Sequence, residues 1–326
     1  MGVKLLNKLM KRYAIKGVKI ISLEELRNKS IVIDISIYLY KYKSQNMLLT
    51  NMFKLCSICK HYKIDAIFIF DGLPDKIKST ALIERNEQKY VAKMKYYDII
   101  DNSSEKYLKT NKSQLIELKK SFTKIKGSDI EIVKQLLESY GMKYYIAEKE
   151  ADHICGELVN TYYKDGCLSD DMDMFVYNSK FVYRNLDIVN GTCLQYNLDL
   201  ILKYLNINFE DFKWMCILSN NDYNTTSKNV FEYYKLYKKY NYEISINNSR
   251  NEVYKNKYSC FIEYVKTEEF MNKQQIETLN SVYNMYNTTD CGFNKNKIVN
   301  SKNDTVTLYK ILEQDNFIYP PQINVC

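Results

Sequence analysis

The sequence predicts an α/β protein: a central, mostly parallel sheet flanked by helices, with a basic helical insertion and a helical C-terminal region. Two observations predict it. Ile31-Val32-Ile33-Asp34 and the run from Ile64 to Asp71 are continuous apolar stretches, each ended by an acid, and such stretches suit strands buried on both faces. Between them Ile35 to Tyr62 holds few helix breakers and reads as a long helix. Strand, helix, strand is a right-handed crossover that sends Asp34 and Asp71 to one carboxyl-terminal sheet edge, where ligands of open α/β sheets bind.

Taken in order, Val3, Leu6, Leu9, Met10 and Tyr13 recur at helical spacing and predict a short opening helix. Ser22 with Glu25 reads as a capping box for another short helix. After the crossover, residues 76–126 form a basic, largely helical segment. Ser128 with Glu131 is a second capping box, for a helix through Leu136, Leu137 and Tyr140 stopped by Gly141. Lys143 to Ile146 follows as a strand, and a helix from the Glu148 region runs to about Lys164. Gly166 to Ser169 is a further strand ended by Asp170 and Asp171. Phe181 to Asn185 with the Asn190-Gly191 turn suggests a hairpin. Helices are expected around 197–204 and 208–219, the second running into Asn220-Asn221-Asp222. Beyond Asn224 the chain is Tyr/Lys/Asn-rich and helical-looking, order is not predicted for about Thr288 to Cys326, and Pro320-Pro321 suggests an extended tail.

Composition narrows the chemistry. With 326 residues, 46 % hydrophobic and 26 % charged, the chain can bury a full core. No apolar run reaches the length of a membrane span, and MGVKLLNKLMKRYA lacks the h-region of a signal peptide. Leu6 occupies the place where a myristoylation motif wants Ser or Thr. An intracellular protein without a membrane partner is expected. Nine irregularly spaced cysteines fit reduced core thiols, and Cys56-x-x-Cys59-x-His61 is half a zinc pattern with nothing to complete it. Only two histidines exist, so neither Ser-His nor Cys-His catalysis is suggested. Residues 76–126 carry thirteen Lys/Arg against six Asp/Glu, seven of the chain's net +8 charges. That segment is a candidate polyanion-binding surface.

The stretch Glu148–Asp173 holds two acidic pairs, Glu150 with Asp152 and Asp171 with Asp173. Carboxylates two residues apart do not stack on one helix face, so the pairs make most sense at element ends, pointing into a common space. Such a cluster stays ionised only beside cations, which a bound divalent metal supplies. An acidic helix start and an acidic turn, each solvated, is the plainer reading of either pair alone.

Along residues 1–223 the chain resembles the flap endonuclease family of structure-specific 5′ nucleases, and several motifs fall in the right order. MGVKLLNKLM is similar to the family's amino terminus. IVIDISIYLY resembles its first acidic motif, IFIFDGLPDKIKSTALIER its second, and AEKEADHICGEL and LSDDMDMFVY the next two. CILSNNDY resembles the last. The resemblance implies a PIN-like 5′-nuclease fold, with a core over 1–223, a basic helical arch at about 76–126, and a helical region over 224–326 that carries a degenerate helix-two-turn-helix. It implies metal ligands at Asp34, Asp71, Glu150, Asp152, Asp171, Asp173 and Asp222. Lys78 and Arg85 fall on the basic positions at the base of the arch, as catalytic contacts to the scissile phosphate. Tyr40 falls where the family stacks an aromatic on DNA, and Lys119, Lys120, Lys124 and Lys126 would bind backbone phosphates.

Three departures stand out. Asp152 replaces a glutamate, Asn224–Asn229 contains no glycine where the family grips duplex DNA, and no sliding-clamp motif appears. An oxygen-only ligand set selects hard cations, so two Mg²⁺ ions, or Mn²⁺, are implied. Asp34, Asp71, Glu150 and Asp152 would hold one ion and Asp171, Asp173 and Asp222 the other. The expected activity is cleavage of branched or nicked DNA with a 5′ end or flap, by a monomer, in replication, repair or recombination. A weakly catalytic DNA-junction binding protein and a related ribonuclease remain as alternatives. The AT-biased composition suits a large DNA virus, whose nuclease would act in the nucleus or a cytoplasmic virus factory.

Overall fold

A computed structural model of the chain describes residues 2–73, 79–102, 104, 107, 110–249, 258–287, 292–315 and 317. In chain order the elements begin with α1 (Leu6–Tyr13), β1 (Val18–Ser22), a 3₁₀ turn (Leu23–Leu26), β2 (Ser30–Asp34), α2 (Ser36–Ser44), α3 (Leu48–His61) and β3 (Asp65–Phe70). Next come α4 (Ser79–Asn102), α5 (Lys112–Phe122), α6 (Gly127–Ser139), β4 (Lys143–Ile146), α7 (Ala151–Thr161), β5 (Cys167–Leu168), β6 (Phe181–Asp187) and β7 (Thr192–Asn197). The chain continues with α8 (Leu198–Leu205), α9 (Phe209–Leu218), α10 (Val230–Ser249), α11 (Phe261–Glu268), α12 (Lys273–Met285) and α13 (Thr305–Leu312). Among the described residues no helix is long and apolar enough to cross a membrane.

The expected fold class holds: strands pair mostly parallel and helices flank them. Some local readings do not hold. The helix expected over 35–62 is two, because Asn46 turns left-handed (φ 55°) and the amides of Asn46 and Met47 close on the carbonyls of Lys43 and Tyr42. That is a Schellman stop. The capping box at Ser128 is displaced: the helix starts at Gly127, and the Asp129 carboxylate accepts from the Lys126 amide at 3.0 Å. The opening helix begins at Leu6, after Leu5 adopts φ 66°. Ser22 caps as expected, but what it starts is a 3₁₀ turn, its hydroxyl accepting from Glu24 N.

The chain divides into two compact units, each built from separated segments. One comprises Ser22–Ala151, Leu186–Thr192 and Gly292–Cys326. Its strands run β2-β3-β4, all parallel, with Asp34 opposite Ile69 and Phe70 opposite Ile146. Ile31–Ile33 and Ala66–Phe70 are buried, as uninterrupted apolar strands should be. Cys56 and Cys59 are core residues on α3, and burial pushes both thiols up, Cys59 to about 12. The C-terminal segment is part of this unit: Val299 pairs antiparallel with Tyr144 of β4, Lys297 meets Glu148 at 2.8 Å, and Asp315 accepts from the amides of Leu49 and Thr50 at the start of α3. Helices α4 and α5 pack along each other, with the rings of Tyr96 and Phe122 5.3 Å apart.

The other unit comprises Met1–Ile21, Asp152–Asn185 and Cys193–Cys291. Its strands run β1-β7-β6-β5, and β5 pairs parallel with β6. The core is aromatic: Phe175, Tyr177, Tyr183, Tyr196, Phe212, Phe261 and Tyr264 are fully buried.

Candidate active site

In the first unit Asp34 ends β2 and Asp71 follows β3. Ser36 joins them. Its amide donates to Asp34 Oδ1 at 3.2 Å and its hydroxyl donates to Asp71 Oδ2 at 2.5 Å. Asp34 is 4 % exposed, while Asp71 is open to solvent. The second Asp71 oxygen, Oδ1, accepts from the Ala151 amide at 2.8 Å, so Asp71 caps the start of α7, where unpaired amides and the helix dipole favour an anion. Glu150 immediately precedes that helix and is half-buried. Gly72 makes the approach feasible: a Cβ there would stand 2.1 Å from Ala147 O.

In the second unit Asp171 and Asp173 follow β5 and are 4 % and 1 % exposed. A ladder of side chains holds them. Asp171 N donates to the Ser169 hydroxyl at 3.1 Å, and Asp173 N donates to Asp171 Oδ1 at 3.0 Å. Arg184 on β6 braces the same turn by donating to Asp170 O at 2.6 Å. Asp173 Oδ1 also accepts from Val3 N at 3.0 Å, and Oδ2 from the Tyr286 hydroxyl at 3.0 Å. Burial and the adjacent Asp173 carboxylate push that hydroxyl well above the ordinary tyrosine value, so it remains a donor. Gly2 lies against both acids with φ 77°; a Cβ on it would come within 2.2 Å of Asp173 Oδ1 and 2.3 Å of Asp171 Oδ1. Only glycine fits there.

Asp152, in the first turn of α7, and Asp222 are half-buried. Asp222 sits in a turn built by amide side chains. Asn221 donates to the carbonyls of Cys216, Ile217 and Ser219 and accepts from the amides of Tyr223 and Asn224. Asn224 donates to the carbonyls of Ile217 and Leu218. These bonds satisfy the orphan carbonyls that end α9. The glycine-free stretch after Asp222 is thus ordered without glycine.

The donor set is oxygen throughout, and its buried members lie at strand ends, which suits a hard divalent cation. Among the described residues no three His, Cys, Asp or Glu gather closely enough to hold an ion by themselves. Tyr40 on α2 is 38 % exposed. Lys119 and Lys120 end α5, with Lys119 donating to Asn46 Oδ1 at 3.3 Å, and Lys124 and Lys126 lie in the linker to α6. Lys78 and the side chain of Arg85 lie outside the described residues. Sequence reasoning missed Ser36, Val3, Arg184, Asn221 and Tyr286, which hold acids or their loops from a distance or through the backbone.

A mostly parallel α/β fold with carboxylates at its strand ends defines the class of PIN-like nucleases. The XPG N-terminal domain model matches residues 1–92 and the XPG I-region model residues 141–222, together more than half of the chain. The chain is 28 % identical over 264 residues to Flap endonuclease 1 of Enterocytozoon bieneusi, covering 73 % of this chain and 71 % of that protein. It is also 28 % identical over 251 residues to Flap endonuclease 1 of Encephalitozoon cuniculi, covering 71 % and 70 %. Its fold is similar to the catalytic core of Rad2 in complex with DNA substrate, with TM-score 0.62, 19 % identity and coverage of 94 % and 93 %. It is similar too to flap endonuclease-1 from Methanococcus jannaschii, with TM-score 0.60, 18 % identity and coverage of 93 % and 91 %. The chain belongs to the flap endonuclease family of structure-specific 5′ nucleases. Nucleases of this family depend on divalent metal.

Proposed function

We propose that this chain hydrolyses DNA phosphodiester bonds at 5′ ends or flaps, in replication, repair or recombination, using Mg²⁺ or Mn²⁺ held by its seven motif acids. One observation carries the reading. The two segments matched by the family models contain all seven: Asp34 and Asp71 in the first, and Glu150, Asp152, Asp171, Asp173 and Asp222 in the second. By resemblance, Asp34, Asp71, Glu150 and Asp152 hold one ion and Asp171, Asp173 and Asp222 the other. The ions, when bound, supply the Lewis acidity that activates water and stabilises the departing oxygen.

The chain's own residues orient those acids. Ser36 fixes Asp34 and Asp71 relative to each other, Val3 and Tyr286 fix Asp173, and Asn221 shapes the turn that carries Asp222. Lys78 and Arg85 contact the scissile phosphate, Tyr40 stacks on a base, and Lys119, Lys120, Lys124 and Lys126 hold backbone phosphates. On α4 the exposed Tyr90 and Tyr97 alternate with Lys89, Lys93 and Lys95, a pairing of stacking faces and cations that suits single-stranded DNA. In this reading residues 1–223 are the nuclease core and 224–326 the helical region that supports it. The protein acts as a monomer inside the cell.

The test is cleavage of end-labelled 5′-flap, nicked and blunt duplexes and single-stranded RNA by purified protein, with Mg²⁺, with EDTA, and by Asp171→Ala. Cutting near the flap junction should fall to background in EDTA and in D171A, while D171A still binds DNA and releases it as salt rises. Binding without cutting in Mg²⁺ or Mn²⁺ would sink the enzyme reading. It would favour a junction-binding protein, the reading that Asp152 and the glycine-free turn motivate.

A further inference from the structure

Asp173 is the most buried of the motif acids given above, and its two oxygens are held by different parts of the chain. Oδ1 takes the Val3 amide and Oδ2 the Tyr286 hydroxyl, each at 3.0 Å. Tyr286 caps the end of α12, far from any acidic motif, and is 2 % exposed. Its ring lies 5.0 Å from Tyr177 and 5.7 Å from Tyr223. Tyr177 closes the turn that starts at Asp173, donating its amide to Asp173 O, and Tyr223 directly follows Asp222. One side chain from the C-terminal region therefore bonds one motif acid and packs against the neighbour of another.

We propose that Tyr286 is a positioning residue for Asp173: its hydroxyl sets the plane of the carboxylate and thereby the affinity of the site for a divalent cation. A carboxylate at the end of a short side chain rotates about its last bond unless donors fix it. Two rigid donors on opposite oxygens leave one orientation. Outer donors of this kind typically change metal affinity ten- to a hundred-fold when removed. The ring packing supplies the rigidity, because a phenol wedged between two aromatic rings cannot swing away from its acceptor. The proposal rests on the metal-dependent reading of the site.

The experiment compares the full-length wild type, Tyr286→Phe and Tyr177→Phe. Tyr286→Phe removes one oxygen and keeps the ring. Tyr177→Phe removes a hydroxyl from the same cluster that lies 3.3 Å from His153 Nδ1. Mn²⁺ binding is measured by calorimetry without DNA, melting is followed in EDTA and in Mn²⁺, and cleavage is titrated with Mg²⁺. Y286F should bind Mn²⁺ about ten-fold more weakly, lose much of the Mn²⁺-dependent rise in melting temperature, and need more Mg²⁺ for half-maximal cleavage. Its melting in EDTA should fall modestly, by the one buried hydrogen bond Asp173 loses, so the rise is read from each variant's own EDTA value, and Tyr177→Phe should remain within about two-fold for Mn²⁺. Equal affinity in Y286F and wild type overturns the proposal, as does equal weakening in both variants. A wild type that neither binds Mn²⁺ nor cuts DNA overturns the metal-dependent reading itself, a separate result.

Discussion

At the scale of single residues, one device recurs four times around the motif acids: a short polar side chain accepts the amide two residues ahead. Asp34 takes Ser36, Ser169 takes Asp171, Asp171 takes Asp173, and Asn221 takes Tyr223. Asp, Asn and Ser form such turns because their acceptor sits one or two carbons from the backbone. The chain is thereby turned at each element end by the side chains themselves. Asn221 carries the heaviest load, since its amide serves five backbone groups. Asn221→Ala strips those partners from buried groups, at roughly 1–3 kcal/mol for each left unsatisfied. A loss of about 2 kcal/mol or more in unfolding free energy is expected, read as a lower urea midpoint, together with slower cleavage because the Asp222 turn loosens. An unchanged midpoint would show that water replaces the amide.

At the scale of elements, the helices stop by a common geometry. Asn46, Lys63, Gly141 and Asn206 all adopt positive φ after a helix, and the next amide reaches back five residues, as in Met142 to Leu137 and Ile64 to Cys59. In a chain with nine glycines among 326 residues, asparagine takes two of these four left-handed positions, which it tolerates better than other residues with a Cβ. Lys63 has no such tolerance. Lys63→Gly should stabilise the protein by about 1 kcal/mol, the cost of a left-handed L-residue, read as a higher thermal midpoint. This composition also explains what was legible. Buried strands ended by acids were plain, because continuous apolar runs leave few alternatives; the break at Asn46 was not, because asparagine carries no obvious stop signal. Strand β1 was missed as well, its Lys19 and Ile20 being exposed.

At the scale of the whole molecule, the motif acids could be read locally but their supports could not. Tyr286 reaches Asp173 across 113 residues and Val3 across 170, and no local pattern records such a contact. The structure also joins distant segments through charge. Lys43 on α2 meets Asp129 on α6 at 2.7 Å. Burial alone would raise the Asp129 carboxyl, but the Lys43 hydrogen bond, the Lys126 amide and both lysine charges outweigh it and hold the carboxyl below the ordinary value. A lowered native pKa contributes stability above the unfolded-state value, and that contribution disappears as pH falls through the native one. Melting temperature should therefore fall more steeply below about pH 4 in wild type than in Asp129→Asn, which is less stable at neutral pH. Parallel curves would show that the pair contributes nothing.

The unit that contains β2, β3 and β4 is closed by residues 292–315, which pair with β4 and cap α3. During synthesis its first long segment ends at Ala151, and its last begins about 140 residues later. At roughly 5–20 residues per second, the ribosome needs about 7–28 s to cross that interval. Throughout it, the edge of β4 and the start of α3 are without the segment that covers them, so a nascent chain of this kind is exposed to chaperones and proteases until residues 292–315 have been made.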